Sequence, residues 1–150
     1  MPIKKKPTVM FLEWSTKGRE FDMQLPIIYF FEKVLKWNIQ YKSQFNWPSV
    51  TRNVPDMIIM SGVEGAHVGL NWARRIERSK IPLFTQVTEG LFKKKHIGEF
   101  VWGHNKTKKI YQNLSMYWSF NSYKMGIKAF PEIKSRIVVS GAVGFDKYKL

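Results

Sequence analysis

The sequence predicts a doubly wound α/β domain: a mostly parallel sheet of about six strands with helices on both faces. Three observations predict it. Short apolar runs recur at Pro7–Trp14, Met57–Met60, Pro82–Val87 and Arg136–Ser140, as expected of strands buried on both faces. Amphipathic helical patterns fill much of the chain between them. The stretch Pro55–Gly90 reads as strand, turn, helix, strand, a length that fits a right-handed βαβ crossover of roughly 30 or more residues.

Taken in order, a basic tail (residues 1–6) precedes the first strand, Pro7–Trp14, which ends at Glu13 and Trp14. Ser15-Thr16-Lys17-Gly18 has turn and cap chemistry. A helix from about Arg19 follows, with Phe21, Leu25, Ile28, Phe31 and Leu35 as one apolar stripe. Pro26 lies inside it. An interior proline costs about 3 kcal/mol, so the regular helix should begin near Leu25 or bend there. Trp37–Gln44 is a half-alternating strand placed nearer an edge, and Phe45–Val54 a loop with Asn46, Pro48 and Asn53.

In the central unit the strand ends at Ser61, and the helix puts Ala66, Leu70, Ala73 and Ile76 on one face, with Arg74, Arg75, Glu77 and Arg78 largely on the other. Beyond Gly90, Leu91–Asn105 mixes aromatics, glycines and lysines without a clean period, as a functional loop would. Lys106–Leu114 is predicted to form a short helix and Ser115–Phe120 the fifth strand. A helix capped by Asn121 then runs until Pro131 stops it, and Arg136–Ser140 is the sixth strand, with Gly141–Leu150 as a polar tail.

At 150 residues and 44% apolar content the chain reads as one domain able to build a core. The longest apolar run falls short of the roughly 18 to 20 residues that cross a bilayer, and the start lacks a signal-peptide core, so a cytoplasmic location is expected. Zero cysteines excludes disulfides and thiolate metal sites. The net charge of +14 attracts polyanions, whether nucleic acid, anionic lipid or phosphorylated small molecules. A nucleic-acid-binding protein is disfavoured because no RNP, helix-turn-helix or finger motif is present.

Active regions of parallel sheets lie beyond the carboxyl ends of the strands. Ser61-Gly62-Val63-Glu64-Gly65 lies there, either as a structural turn or as a loop whose backbone N–H groups approach an oxyanion. Glu89, after an apolar strand and before Gly90, is the candidate general base, unless it caps the next segment or pairs with Lys93. Glu13 has the same position on the first strand, and Arg19 follows the adjacent turn. Trp14, Phe92 and Trp102 are rim aromatics able to stack on a sugar or base. His67, His96 and His104 show no metal-ligand spacing, and neither a metal nor a cofactor is expected.

Leu12-Glu13-Trp14, Arg19-Glu20-Phe21-Asp22, Pro55-Asp56 before a strand ending in Ser61-Gly62, Thr88-Glu89-Gly90, Phe100-Val101-Trp102-Gly103 and a late segment from Phe130-Pro131-Glu132-Ile133 to Phe145-Asp146 run through all 150 residues. Together they resemble the amino-terminal half of bacterial surface-carbohydrate (polysaccharide) biosynthesis proteins that look like glycosyltransferases of the two-Rossmann-domain, GT-B type. The resemblance implies a Rossmann-like, acceptor-side domain of a transferase. Its base would be Glu89, and Glu13, Arg19, Gly62, Gly65 and Trp102 would line the acceptor side.

It also implies a glycan or lipid-linked acceptor and a nucleotide-sugar donor held mainly by a second domain. Residues 141–150 would begin the interdomain linker. Gly141-Ala142-Val143-Gly144-Phe145-Asp146 lacks the Pro-Arg pair of the family tail, so Asp146 is given no role beyond that link. The chain should not complete a transfer alone. Its basic balance would suit a peripheral position at the anionic inner face of a membrane. The alternative is a free-standing Rossmann-like module that binds a nucleotide or nucleotide-sugar.

Overall fold

The computed structural model describes residues 5–13, 18–43, 52–61, 67–87 and 109–141. Six strands form one sheet: β1 (Thr8–Glu13), β2 (Asn38–Ser43), β3 (Met57–Ser61), β4 (Leu83–Gln86), β5 (Leu114–Tyr117) and β6 (Ile137–Val139), in the spatial order β2-β1-β3-β4-β5-β6. Every adjacent pair is parallel. The predicted fold class is what the chain adopts, a Rossmann-like doubly wound α/β domain. β2 lies at an edge, as its half-alternating sequence indicates, and its residues are only partly buried.

Alternation along the strands divides the core into two layers. On one face Val9, Phe11, Met57 and Ile59 pack against Ile27, Ile28 and Phe31, which belong to α1 (Arg19–Tyr29) and the π-helical turn Phe30–Val34 that continues it. On the other, Met10, Leu12, Ile58, Met60 and Leu83 meet Ala73 and Ile76 of α2 (His67–Arg78). The same face continues over Tyr117 and Ile137, covered by Phe130, Ile133 and Tyr123 from α3 (Phe120–Ala129) and the 3₁₀ turn Pro131–Arg136.

Asp56 seats β3 beside β1 by a reciprocal pair: Thr8 N–H donates to its carboxylate at 2.7 Å, and its own N–H donates to the Thr8 carbonyl at 2.9 Å. α1 starts after Gly18, whose φ of 86° is open to glycine at no steric cost. α2 ends where Ser79 bonds back to the Arg75 carbonyl and Lys80 takes a left-handed φ of 56° ahead of Pro82.

Several expectations need correction. α1 does not begin near Leu25; it runs from Arg19 through Pro26, its first turns held by the buried Met23 and by Gln24 bonded to Glu13, and its later ones by Ile27 and Ile28 packed on the sheet. Of the expected stripe, Ile28 and Phe31 pack on the core, whereas Leu25 and Leu35, expected inside, are exposed. Residues 109–113 are not helical, and β5 begins at Leu114. The cap of α3 is Ser119, whose side chain accepts the Ser122 N–H at 3.1 Å, so the helix starts before Asn121. Of the predicted loops, Phe45–Val54 is described only from Arg52 onward, and Leu91–Asn105 lies outside the described residues.

Candidate functional site

The chain pairs β1 with β2 and then crosses to the other side of β1 to lay down β3, β4, β5 and β6 in succession. The topological switch point is therefore the boundary between β1 and β3, and ligands of open α/β sheets bind outside the carboxyl ends at such a boundary. Glu13 closes β1 and Ser61 closes β3.

Register and alternation put these residues in one row. Glu13 stands opposite Ser43, and Ser61 opposite Gln86, which in turn stands opposite Met116. The row shares the face of Val9, Phe11, Met57 and Ile59, so Ser43, Glu13, Ser61 and Gln86 form a polar edge at the carboxyl end of that apolar layer. Ser61 Oγ donates to Glu13 Oε2, and Gln24 Nε2, from α1, donates to Glu13 Oε1 at 2.9 Å.

Glu13, Gln24 and Gln86 are all 0% exposed. A buried carboxylate needs such donors, since an unsatisfied buried charge is far costlier than an unsatisfied dipole. Gln86 is different: among the described residues neither its side-chain oxygen nor its nitrogen has a hydrogen-bond partner, and the Oε1 of Gln24 also lacks one. Leaving a buried amide unpaired costs about 1–3 kcal/mol.

The opposite face of β4 is polar too, and there it is satisfied. Thr85 Oγ1 and Ser115 Oγ are 3.0 Å apart, and Gln112 Nε2 donates to Ser115 Oγ at 3.0 Å. Beyond the strand end, Trp118 Nε1 donates to the Val87 carbonyl. On the switch-point face, by contrast, the amides of Gln86 and Gln24 keep hydrogen-bonding capacity unmet among the described residues.

Of the residues singled out in the sequence, Glu13 sits at the switch point, buried rather than lining an open rim. Arg19 is the first residue of α1, which follows β1. Gly62, Gly65, Glu89 and Trp102 lie outside the described residues. Sequence reasoning missed Gln24 and Gln86. Their signal was present as a glutamine beside Met23 in the packing stretch of a helix and the pair Thr85-Gln86 within an apolar strand. Among the described residues no group of three His, Asp or Glu side chains could hold a metal ion, and no helix is long and apolar enough to cross a membrane.

No protein-family model matches the chain, and no curated protein matches it. Among solved structures it is similar to an ABC sugar transporter subunit from Rhodobacter sphaeroides 2.4.1, with a TM-score of 0.53 and 16% identity. The match covers 81% of this chain and 38% of that one, so the chain spans well under half the length of its structural neighbour. At that identity the likeness is one of fold: parallel α/β architecture shared across unrelated sequences.

Proposed function

We propose that the chain is the acceptor-side domain of a GT-B-type glycosyltransferase of surface polysaccharide biosynthesis, binding a sugar at the β1/β3 switch point. The observation that carries the sugar-binding part is the buried row Glu13, Ser61 and Gln86, in which a donor-bound carboxylate and a hydroxyl adjoin an amide with its full hydrogen-bonding capacity unmet. Sugar hydroxyls each donate and accept, so a polyol satisfies an amide of this kind on both atoms. The resemblance in the sequence supplies the reaction class. The structural neighbour is a subunit of a sugar transporter, which agrees with the ligand class.

In this reading Glu89 takes the proton of an acceptor hydroxyl as its oxygen attacks the anomeric carbon. The bond from that carbon to the nucleoside diphosphate breaks, and its electron pair leaves with the phosphate. Glu13 is a positioning residue that holds Ser61 and Gln24. Arg19, Gly62, Gly65 and Trp102 line the acceptor, and a second α/β domain holds the nucleotide-sugar. The acceptor is a glycan, free or lipid-linked at an anionic inner membrane face.

The second reading, a free-standing module for a nucleotide-sugar, is favoured by the same switch point, which in doubly wound sheets commonly takes nucleotides. Titration of the isotope-labelled chain with oligosaccharides and with nucleotide-sugars, read by amide shifts, separates the two. Shifts at Ser61 and Gln86 with oligosaccharide alone support the acceptor domain. Saturation by a nucleotide-sugar supports the module, and silence with both overturns the sugar site.

A further inference from the structure

The opposite edge of the sheet holds a second polar feature that the switch point does not use. Ahead of β4, β5 and β6 lies an open cavity of about 390 Å³ whose polar lining is Glu77, Lys80, Lys109, Tyr111, Asn113 and Arg136. That volume lies within the roughly 300–1,000 Å³ typical of small-molecule sites.

The hydrogen-bonding inventory of the lining is one-sided. Glu77 is the single carboxylate among the lining residues, and Lys109 Nζ occupies it at 2.9 Å. The Tyr111 hydroxyl accepts from Arg74 Nε at 3.0 Å, which leaves its own proton to donate. Asn113 Oδ1 accepts the Leu83 N–H at 2.9 Å, which leaves the side-chain NH₂ as a donor. Arg136 spends one terminal nitrogen on the carbonyls of Ile110 and Gln112, at 3.3 and 3.0 Å, so its guanidinium is anchored with the rest of its fork uncommitted among the described residues. Lys80 adds an ammonium with no carboxylate partner among the described residues.

What remains is donors and positive charge, around a guanidinium that needs no further ordering. The carboxyl end of α2, which would oppose an anion here, is offset by Arg75 and Arg78 in its last turn. We propose that this cavity binds a phosphate group, carried by a small phosphomonoester or diphosphate. Tetrahedral phosphate oxygens accept from several directions at once and pair with a guanidinium fork in bidentate fashion. The site is independent of the switch point and stands whether or not a sugar binds there.

Inorganic pyrophosphate is the probe, titrated into the isotope-labelled full chain at constant ionic strength. Saturable shifts are expected at Lys80, the Asn113 side-chain amide and Arg136 Nε. Lys80→Gly should weaken binding about tenfold, the loss of one charge-assisted contact. Because glycine suits the left-handed backbone at position 80, this variant keeps the fold. Asn113→Asp keeps the acceptor for Leu83 while replacing the donor by a negative charge, and should abolish binding. Lys124→Ala, on α3 away from the cavity, should change nothing.

Vesicles containing phosphatidic acid form the second arm. Shifts at the same residues with vesicles, displaced by pyrophosphate, identify the source as a lipid headgroup, and binding of pyrophosphate with no such shifts from vesicles identifies a soluble ligand. Shifts spread over exposed lysines at large, no saturation, or full binding by Asn113→Asp would overturn the proposal.

Discussion

Ser61 donates its side-chain hydrogen bond to the carboxylate of Glu13 across the boundary between β3 and β1, the two strands at which the chain reverses its direction of growth. The bond joins two strand ends separated by 48 positions in the sequence, and Gln24 adds a donor from the helix between β1 and β2. Three elements are thereby tied at one carboxylate.

Removing a donor from that carboxylate leaves buried charge underserved. Ser61→Ala should lower stability by about 1–3 kcal/mol. Glu13→Ala should cost more, since it opens a cavity and strands Gln24 Nε2. The double variant should lose less than the sum of the singles, as expected for contacting groups. Urea denaturation midpoints measure all three, and strict additivity would show that the pair does not act as a unit.

Lys36 holds a left-handed φ of 59° between the π-helical turn and β2. A side chain with Cβ is strained there by roughly 1–2 kcal/mol, whereas glycine is not. Lys36→Gly is expected to raise stability by about 0.5–1 kcal/mol after its larger loss of chain entropy. A lowered thermal midpoint would show that the lysine makes a compensating contact.

The sheet was legible because β1 and β3 are apolar nearly throughout and β4 opens on an apolar pair, and a parallel sheet covered on both faces demands such strands. The buried face of α1 was not. Helical spacing gave one stripe through Phe21, Leu25, Ile28, Phe31 and Leu35; Ile28 and Phe31 do pack on the sheet, but Met23, Gln24 and Ile27 turn inward beside them, and Leu25 and Leu35 face out. Periodicity defines an apolar band without stating which part of it faces inward. At the site, Glu13 and Ser61 could be found from their places at strand ends. Gln24 and Gln86 carry only the weak signal of a glutamine in a buried stretch, because their importance comes from tertiary placement: Gln24 reaches Glu13 from α1, and Gln86 stands in register beside Ser61.

Gly126 sits in α3 against the ring of Tyr117, where an added Cβ would lie 3.0 Å from Tyr117 Cε2. Helix propensity favours alanine by about 1 kcal/mol, but a buried ring has little room to give. Overpacking costs about 1–3 kcal/mol and should prevail. Gly126→Ala is therefore expected to destabilise modestly, while Gly126→Ala with Tyr117→Leu should recover part of the loss. Calorimetric unfolding of the two variants checks the order.

Gln86 separates stability from function in one residue. Both of its polar atoms are buried and unpartnered among the described residues, so in the absence of ligand its amide opposes folding. Leucine has similar volume and no polar atom. Gln86→Leu is therefore expected to raise the stability of the unliganded chain by about 1–3 kcal/mol, the cost of an unpaired buried amide. If a sugar meets that amide, the same change must remove its binding, because the hydroxyls that lose their partner would then be desolvated without return. Urea denaturation of the free chain and oligosaccharide titration of the variant form one experiment with two readouts. A more stable variant that no longer binds places the ligand at the switch point, and a more stable variant that binds as before places it elsewhere.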